Sequence, residues 1–297
     1  MSANSRIEWT THTLNPWWGC EKVSPACKLC YAETWAKRTG HQVWGGDSPR
    51  RFFGEKHWAE PLKWNRKAGQ SKERARVFCS SMSDILEIHR DAEVAHRQKR
   101  ERRRLGHLIE ITEHLDWLLL TKRLHDGGRC FTEMFGDRGK FPKNVWIGTT
   151  MEDQDRAQER APWLCSLTST VRFVSAEPLL GRLSLRDLDI GGYLAERYPI
   201  PGQFGHIPVR LDALTGCNDG QAMGGTKAQP VNWVIAGGES GAGARPTELS
   251  WFRDLRDECA AAGVPFFMKQ ITERGRKIPF DDWPDDLKVR QFPEIGG

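Results

Sequence analysis

Six short runs rich in β-branched and aromatic residues recur along the chain, with helical or polar stretches between them. This alternation constrains the fold more than any other feature. The runs are Arg76–Met82, Leu115–Thr121, Asn144–Thr150, Val171–Ala176, Asn232–Gly237 and Val264–Lys269. A weaker first strand is expected in Ile7–Thr13. Near-continuous apolar runs suit strands buried on both faces, as in a parallel sheet. Helices are expected over Tyr31–Thr39, Ala92–Glu113, Met151–Leu167 and Thr247–Ala262, the last with Thr247 as N-cap and Gly263 beyond its end. Repeated strand–helix alternation predicts an α/β fold: a complete or partial (β/α) barrel of six to seven mainly parallel strands, forming a single domain over residues 1–297. A doubly wound open sheet is the alternative. One interval, 179–231, breaks the rhythm between the fifth and sixth strands, counting the weaker first one. It is too long for an ordinary connection and predicts an insertion or lid.

In a (β/α) barrel the site forms where strands run into the following loops. Here those ends are unusually polar. They read Ser83-Asp84 after the first strong strand, Lys122-Arg123 after the second and Thr149-Thr150-Met-Glu152 after the third. Glu177 follows the fourth, and Gly237-Gly238-Glu239 the fifth. Each has a local explanation as a cap, a turn or a solvated pair. Together at one rim they offer contacts for a ribose, an amino group and a carboxylate, and the glycines would admit a flat ring close to the backbone.

The segment from Asn15 to Glu33 contains C-x6-C-x2-C, formed by Cys20, Cys27 and Cys30. No apolar h-region opens the chain and no apolar run spans a bilayer, so the expected setting is cytoplasmic, without a membrane. Cysteines there are reduced thiols or metal ligands rather than disulfides. Three thiolates on one loop can hold three irons of a [4Fe–4S] cluster and leave the fourth open. Zinc competes: the same thiolates with His12, His41 or His57 would make a tetrahedral site. Against zinc, no second C-x2-C or His pair stands at zinc-finger spacing. Cys79, Cys165 and Cys259 fall in apolar patterns and read as core, whereas Cys130 and Cys217 read as loop residues.

The three-cysteine loop followed by a (β/α) barrel resembles the radical S-adenosylmethionine superfamily, whose common spacing is C-x3-C-x2-C rather than the x6 gap found here. More closely, the chain resembles the phage-associated three-Cys-motif family. The landmarks are Asn15-Pro-Trp-Trp-Gly-Cys20, Val23-Ser-Pro-Ala-Cys27, Cys30-Tyr-Ala-Glu33, Ser81-Met-Ser-Asp84, Leu120-Thr-Lys-Arg123, Ser175-Ala-Glu-Pro-Leu-Leu-Gly181 and the Gly237–Pro246 run. The resemblance implies that Cys20, Cys27 and Cys30 ligate a [4Fe–4S] cluster. It further implies that S-adenosylmethionine binds the open iron, and that its reductive cleavage yields a 5′-deoxyadenosyl radical that abstracts a hydrogen from substrate. An electron donor is then a required partner. Mapped onto the strand ends, Ser83 and Asp84 would meet the cofactor's amino group, and Lys122 or Arg123 its carboxylate. Thr149, Thr150 and Glu152 would meet the ribose. Gly237, Gly238 and Glu239 would flank the adenine or face substrate, and Glu177 would bind substrate or hold structure.

Residues 63–104 carry 13 Lys/Arg against 6 Asp/Glu, a net of +7 within a chain whose total is +5. Such a stretch is either a solvated helix face or a phosphate-binding one. Seven of the 13 tryptophans precede residue 65. Trp117, Trp146 and Trp233 lie in apolar strands and read as core, whereas Trp17 and Trp18 adjoin Cys20 and would shield a cluster. Basic charge, aromatic residues and the phage association of the family point to a DNA or RNA base as substrate. Two alternatives stay open: a metal-stabilised nucleic-acid-binding protein without catalysis, and a radical enzyme acting on a small metabolite or peptide.

Overall fold

A computed structural model describes residues 2–136, 140–191, 209–218, 228–241 and 243–294. The strands are β1 (Ser2–Ala3), β2 (His12–Leu14), β3 (Trp17–Trp18), β4 (Arg51–Phe52), β5 (Ala75–Cys79), β6 (Leu115–Thr121), β7 (Val145–Thr150) and β8 (Val171–Ala176). They continue with β9 (Leu188–Asp189), β10 (Arg210–Asp212), β11 (Cys217–Asn218), β12 (Trp233–Gly237) and β13 (Phe266–Gln270). The helices are α1 (Tyr31–Arg38), α2 (Glu55–Trp58), α3 (Glu60–Ser71), α4 (Ala92–Glu110), α5 (Gly127–Phe135), α6 (Gln154–Cys165) and α7 (Leu249–Ala261).

The main sheet has the order β1-β2-β5-β6-β7-β8-β12-β13. Its seven strands from β2 onward are parallel, and β1 alone is antiparallel. Sheet order follows chain order without reversal. A doubly wound sheet reverses at its switch point, so this is the partial (β/α) barrel of the two expected arrangements. Every residue of β7, β8 and β12 is buried, which explains why these strands read as apolar runs without alternation.

The chain divides into two compact units, residues 1–148 and 149–297. In the first, Asp91 caps α4 by accepting from the Val94 N–H at 3.0 Å, and α4 packs against α5. In the second, the interval between β8 and β12 holds a three-stranded antiparallel sheet, β11-β10-β9. The remainder of the expected lid, 192–208 and 219–227, lies outside the described residues. No described helix is long and apolar enough to cross a membrane.

Three sequence expectations need correction. The first strand is His12–Leu14, at the end of the expected Ile7–Thr13. Helix α7 begins after Glu248, and Thr247 does not cap it: its hydroxyl donates to the Leu179 carbonyl at 3.0 Å. Cys130 is not in a loop but buried on α5, where its thiol faces the Leu86 carbonyl. The pair Gly127-Gly128 at the start of α5 reads as a turn, and tertiary packing overrides that local preference. Cys79, Cys165 and Cys259 are buried as expected, and so are Trp117, Trp146 and Trp233.

Two helical glycines make opposite predictions. A Cβ on Gly106 of α4 would sit 1.9 Å from the Met134 carbonyl oxygen of α5, whereas one on exposed Gly128 meets nothing within 4 Å. Gly106→Ala should therefore destabilise by about 1–3 kcal/mol through overpacking. Gly128→Ala should stabilise by about 0.5–1 kcal/mol through helix propensity. Urea denaturation of the two variants checks both signs.

Candidate functional site

The cysteine loop belongs to the first unit and is clamped at several points. Asn15 Nδ2 donates to Ser81 Oγ at 3.1 Å, and its Oδ1 accepts from the Met82 N–H at 2.7 Å. The Gly19 N–H donates to the Met82 carbonyl at 3.0 Å, and Tyr31 Oη donates to the Ser81 carbonyl at 2.7 Å. Gly19 has φ +112°, and a Cβ there would lie 2.3 Å from the Val43 carbonyl oxygen, so no other residue fits. Pro25 opens a short 3-10 turn ending at Cys27, and Cys30 directly precedes α1. The spacing of Asn15, Gly19 and Ser81-Met82 thus has one cause: they hold the three cysteines against the carboxyl end of β5.

All three cysteines are half-buried and none is in a disulfide. They face the basic pair that ends β6. Arg123 Nη1 donates to Cys20 Sγ at 3.5 Å and to Asp84 Oδ2 at 3.2 Å, while Nη2 donates to the Glu21 carbonyl at 2.7 Å. Lys122 acts electrostatically on both Cys27 and Cys30, and these two thiols act on each other. Burial pushes the Cys20 thiol up to about 12, with Arg123 opposing. Burial also raises Cys30. At Cys27 burial pushes the same way, but Lys122 and hydrogen bonds from Val23 and Ser24 outweigh it, and the thiol is held below its ordinary value.

Asp84 is committed to the protein. Its carboxylate accepts from the Leu86 N–H (3.0 Å), Thr121 Oγ1 (2.7 Å), the Lys122 N–H (3.0 Å) and Arg123. Four donors use the lone-pair sites of a carboxylate. Burial works against this ionised group, yet Arg123 and the hydrogen bonds hold the carboxyl below its usual range. Asp84 therefore orders the strand end instead of offering an oxygen to a ligand. Arg123 is equally engaged. That leaves, among the described residues, Lys122, half-buried and in no salt bridge, and Ser83, whose buried Oγ has no hydrogen-bond partner.

Sequence reasoning missed Glu87 and Arg50. Arg50 is fully buried and makes a two-pronged pair with Glu87, both contacts 2.8 Å. Glu87 also accepts from the Glu21 N–H at 2.9 Å and Gln98 Nε2 at 2.9 Å, so it anchors the chain beside Cys20. Nothing local marks these residues, because the pair joins positions 37 apart.

The remaining predicted residues lie in the second unit. Thr149, Thr150 and Glu152 are buried, and Thr150 Oγ1 lacks a hydrogen-bond partner. Glu152 accepts from Arg160 Nη1 at 3.0 Å, which also donates to the Thr150 carbonyl. Glu177 pairs with Lys269 Nζ at 2.7 Å, a lysine that sequence reasoning did not single out. Glu239 is buried against Arg245, which grips both carboxylate oxygens. A Cβ on Gly237 would come 3.1 Å from Glu177 Oε1, and one on Gly238 3.2 Å from Thr272. A side chain at either position would crowd these neighbours.

Among the described residues no group of three His, Cys, Asp or Glu side chains is arranged to hold a single metal ion. The histidines of the zinc alternative are engaged elsewhere. His12 stacks on Trp64 and accepts from the Asn4 N–H, His41 meets Arg51 at 2.7 Å, and His57 Nε2 donates to the Asn15 carbonyl at 2.8 Å. A [4Fe–4S] cluster takes each thiolate on a different iron, so its ligands stand further apart than those of one ion. The donor set, three soft thiolates beside two cations, has the chemistry that such an anionic cluster requires.

Residues 4–281 match the family described as a protein of unknown function (DUF5131). The chain belongs to the DUF5131 family. No curated protein and no solved structure matches it.

Two measurements probe this DUF5131 site. Glu87→Gln leaves the Arg50 charge buried without its counter-ion and should lower unfolding free energy by about 3–5 kcal/mol in urea titrations. In metal-free protein near neutral pH, iodoacetamide followed by peptide mass spectrometry should modify Cys27 before Cys20 or Cys30, because the thiolate is the nucleophile. Lys122→Met should reduce that preference without abolishing it, since the hydrogen bonds from Val23 and Ser24 remain; equal rates at the three thiols in the parent protein would contradict the assigned electrostatics.

Proposed function

We propose that this DUF5131 protein is an iron–sulfur enzyme of the radical S-adenosylmethionine type acting on a nucleic-acid base. The observation that carries the reading is the placement of three thiols, on one clamped loop, beside Lys122 and Arg123 at the carboxyl end of β6. Cys20, Cys27 and Cys30 would hold the cluster. When bound, the cluster supplies one electron to cleave the cofactor's sulfonium, chemistry that belongs to the cofactor rather than the protein.

The protein's share is placement and charge. Arg123 neutralises the thiolate of Cys20 and fixes the loop through the Glu21 carbonyl. Asp84 keeps Arg123 charged and aimed. Lys122 is the cation left to hold the cofactor's carboxylate, and Ser83 Oγ the hydroxyl left for its amino group. In the second unit, Thr150 Oγ1 and Thr272 Oγ1 are buried hydroxyls with no hydrogen-bond partner among the described residues. There Glu177, ion-paired with Lys269, is the carboxylate proposed to bind substrate. Glu152 and Glu239, each held by an arginine, serve as positioning groups. An external electron donor is required.

Protein prepared and reconstituted anaerobically should contain about four irons and four sulfides per chain. With S-adenosylmethionine and a reductant it should release 5′-deoxyadenosine, and Cys27→Ala should abolish both the iron and the product. Stoichiometric zinc with no iron uptake overturns the reading. Iron without cofactor cleavage removes the radical chemistry and keeps the cluster.

A further inference from the structure

The basic stretch does not form a uniform solvated face. Arg102 is buried and paired with Glu133 at 2.6 Å, Arg74 pairs with Asp116 at 2.7 Å, and Arg104 pairs with Glu55. Arg97, Arg100 and Arg51 on β4 stay exposed and form no salt bridge among the described residues; Glu101 acts on Arg97 and Arg100 only electrostatically, and Arg51 Nη1 meets His41 Nε2 at 2.7 Å. Two of these three guanidinium groups lie over aromatic rings. Arg97 sits 4.2 Å from the Phe52 ring centre; Arg51 sits 4.7 Å from that of Trp18 and 5.3 Å from that of Phe53. Arg97 and Arg100 are three apart on α4 and share a flank of the helix. Arg51 and Phe52 are adjacent on β4, which pairs with β3 in the register Trp18↔Arg51. The three arginines thus form a strip that ends on Trp18, two residues before Cys20.

Beyond Trp18 the surface changes from cationic to aromatic. Trp18 and Cys30 pack on the same small core of Ala32, Ala36, Val43 and Met82. Helix α1, which supplies two of those alanines, exposes Tyr31 and Trp35, four residues apart and so on one helical face. Trp35 is 53% exposed, a large apolar area to leave in water with no fold-level cause.

We propose that this strip and the α1 face bind single-stranded nucleic acid, with Arg51, Arg97 and Arg100 on backbone phosphates and Trp35 stacked on a base beside the cysteine loop. A guanidinium resting on an aromatic ring is held in place, so less side-chain freedom is lost when its edge meets a phosphate. Base stacking on a side chain requires an unstacked base, which a single strand presents and a duplex does not. The inference deepens the proposed function by naming its substrate class, and it rests on that reading only for what happens after binding.

The test is fluorescence anisotropy with labelled oligothymidylate and oligouridylate of roughly 15 nucleotides, and with a duplex of equal length, over a series of KCl concentrations. Both single strands should bind, and more tightly than the duplex. Each phosphate contact contributes about 0.7 to the slope of log K against log salt on a single strand. The triple variant Arg51→Gln, Arg97→Gln, Arg100→Gln should therefore lower that slope by about 2. Arg100→Gln alone removes a side chain that rests on no ring, and should lower the slope by about 0.7 without altering thermal unfolding. Trp35→Ala should weaken binding with the slope unchanged, as expected of stacking. No binding at low salt, or an unaltered slope in the triple variant, overturns the proposal; equal affinity for the duplex overturns its single-strand part. The titration is run on protein before and after anaerobic reconstitution. Binding without iron uptake retains this inference and removes the iron–sulfur enzyme. Iron uptake and cofactor cleavage without binding does the reverse.

Discussion

The carboxylate of Asp84, buried at the end of β5 and paired with Arg123, is the constraint on which the cysteine site depends. One group joins two strand ends: it accepts from the backbone and hydroxyl of residues 121–122 and fixes the guanidinium that reaches Cys20 and the Glu21 carbonyl. That guanidinium opposes the burial that disfavours the Cys20 thiolate, but does not cancel it.

The same device recurs across the fold. Arg50–Glu87, Arg102–Glu133 and Arg160–Glu152 are ion pairs withdrawn from solvent and supplied with additional hydrogen bonds. Taking such charges out of water costs several kcal/mol per ion, and the pair recovers it only when geometry and hydrogen bonding are good. Each pair is therefore demanding about position, and two of them, Arg50–Glu87 and Arg102–Glu133, join segments remote in sequence. Arg50 also donates to the carbonyls of Val43, Gly45 and Ser48, which shapes the loop leading into β4. Of the arginines left over from this internal pairing, Arg51 and Arg97 lie over aromatic rings and Arg100 is exposed without one.

Much of the candidate site was legible because its parts are local. Cys20, Cys27 and Cys30 share one loop, and the polar strand ends follow directly from a parallel α/β arrangement. Roles were less legible than membership. Asp84 and Arg123 read as ligand contacts but spend their hydrogen bonds on each other and on the backbone. Gly237 and Gly238 read as room for a ring, and in the fold a side chain at either would also crowd Glu177 or Thr272. Lys269 and Glu87 passed unnoticed, since a charged residue declares itself only through the partner it meets in space. The early tryptophans divide likewise: Trp9, Trp17, Trp58 and Trp64 are core, whereas Trp35 is exposed.

Sequence alone determined the order of the main parallel strands and the cysteine loop, since both arise from hydrophobic pattern and short-range spacing. Strands buried on both faces must be apolar throughout, so β6, β7, β8 and β12 could be read directly. Helix α5 could not, because its two leading glycines carry a turn signal that only packing against α4 overrules. Tertiary structure alone decided which charges are internal and which are offered outward. A lysine or arginine has the same pattern in sequence whether it meets a carboxylate, a ring or water, and the energy that separates those fates exists only after distant segments have come together.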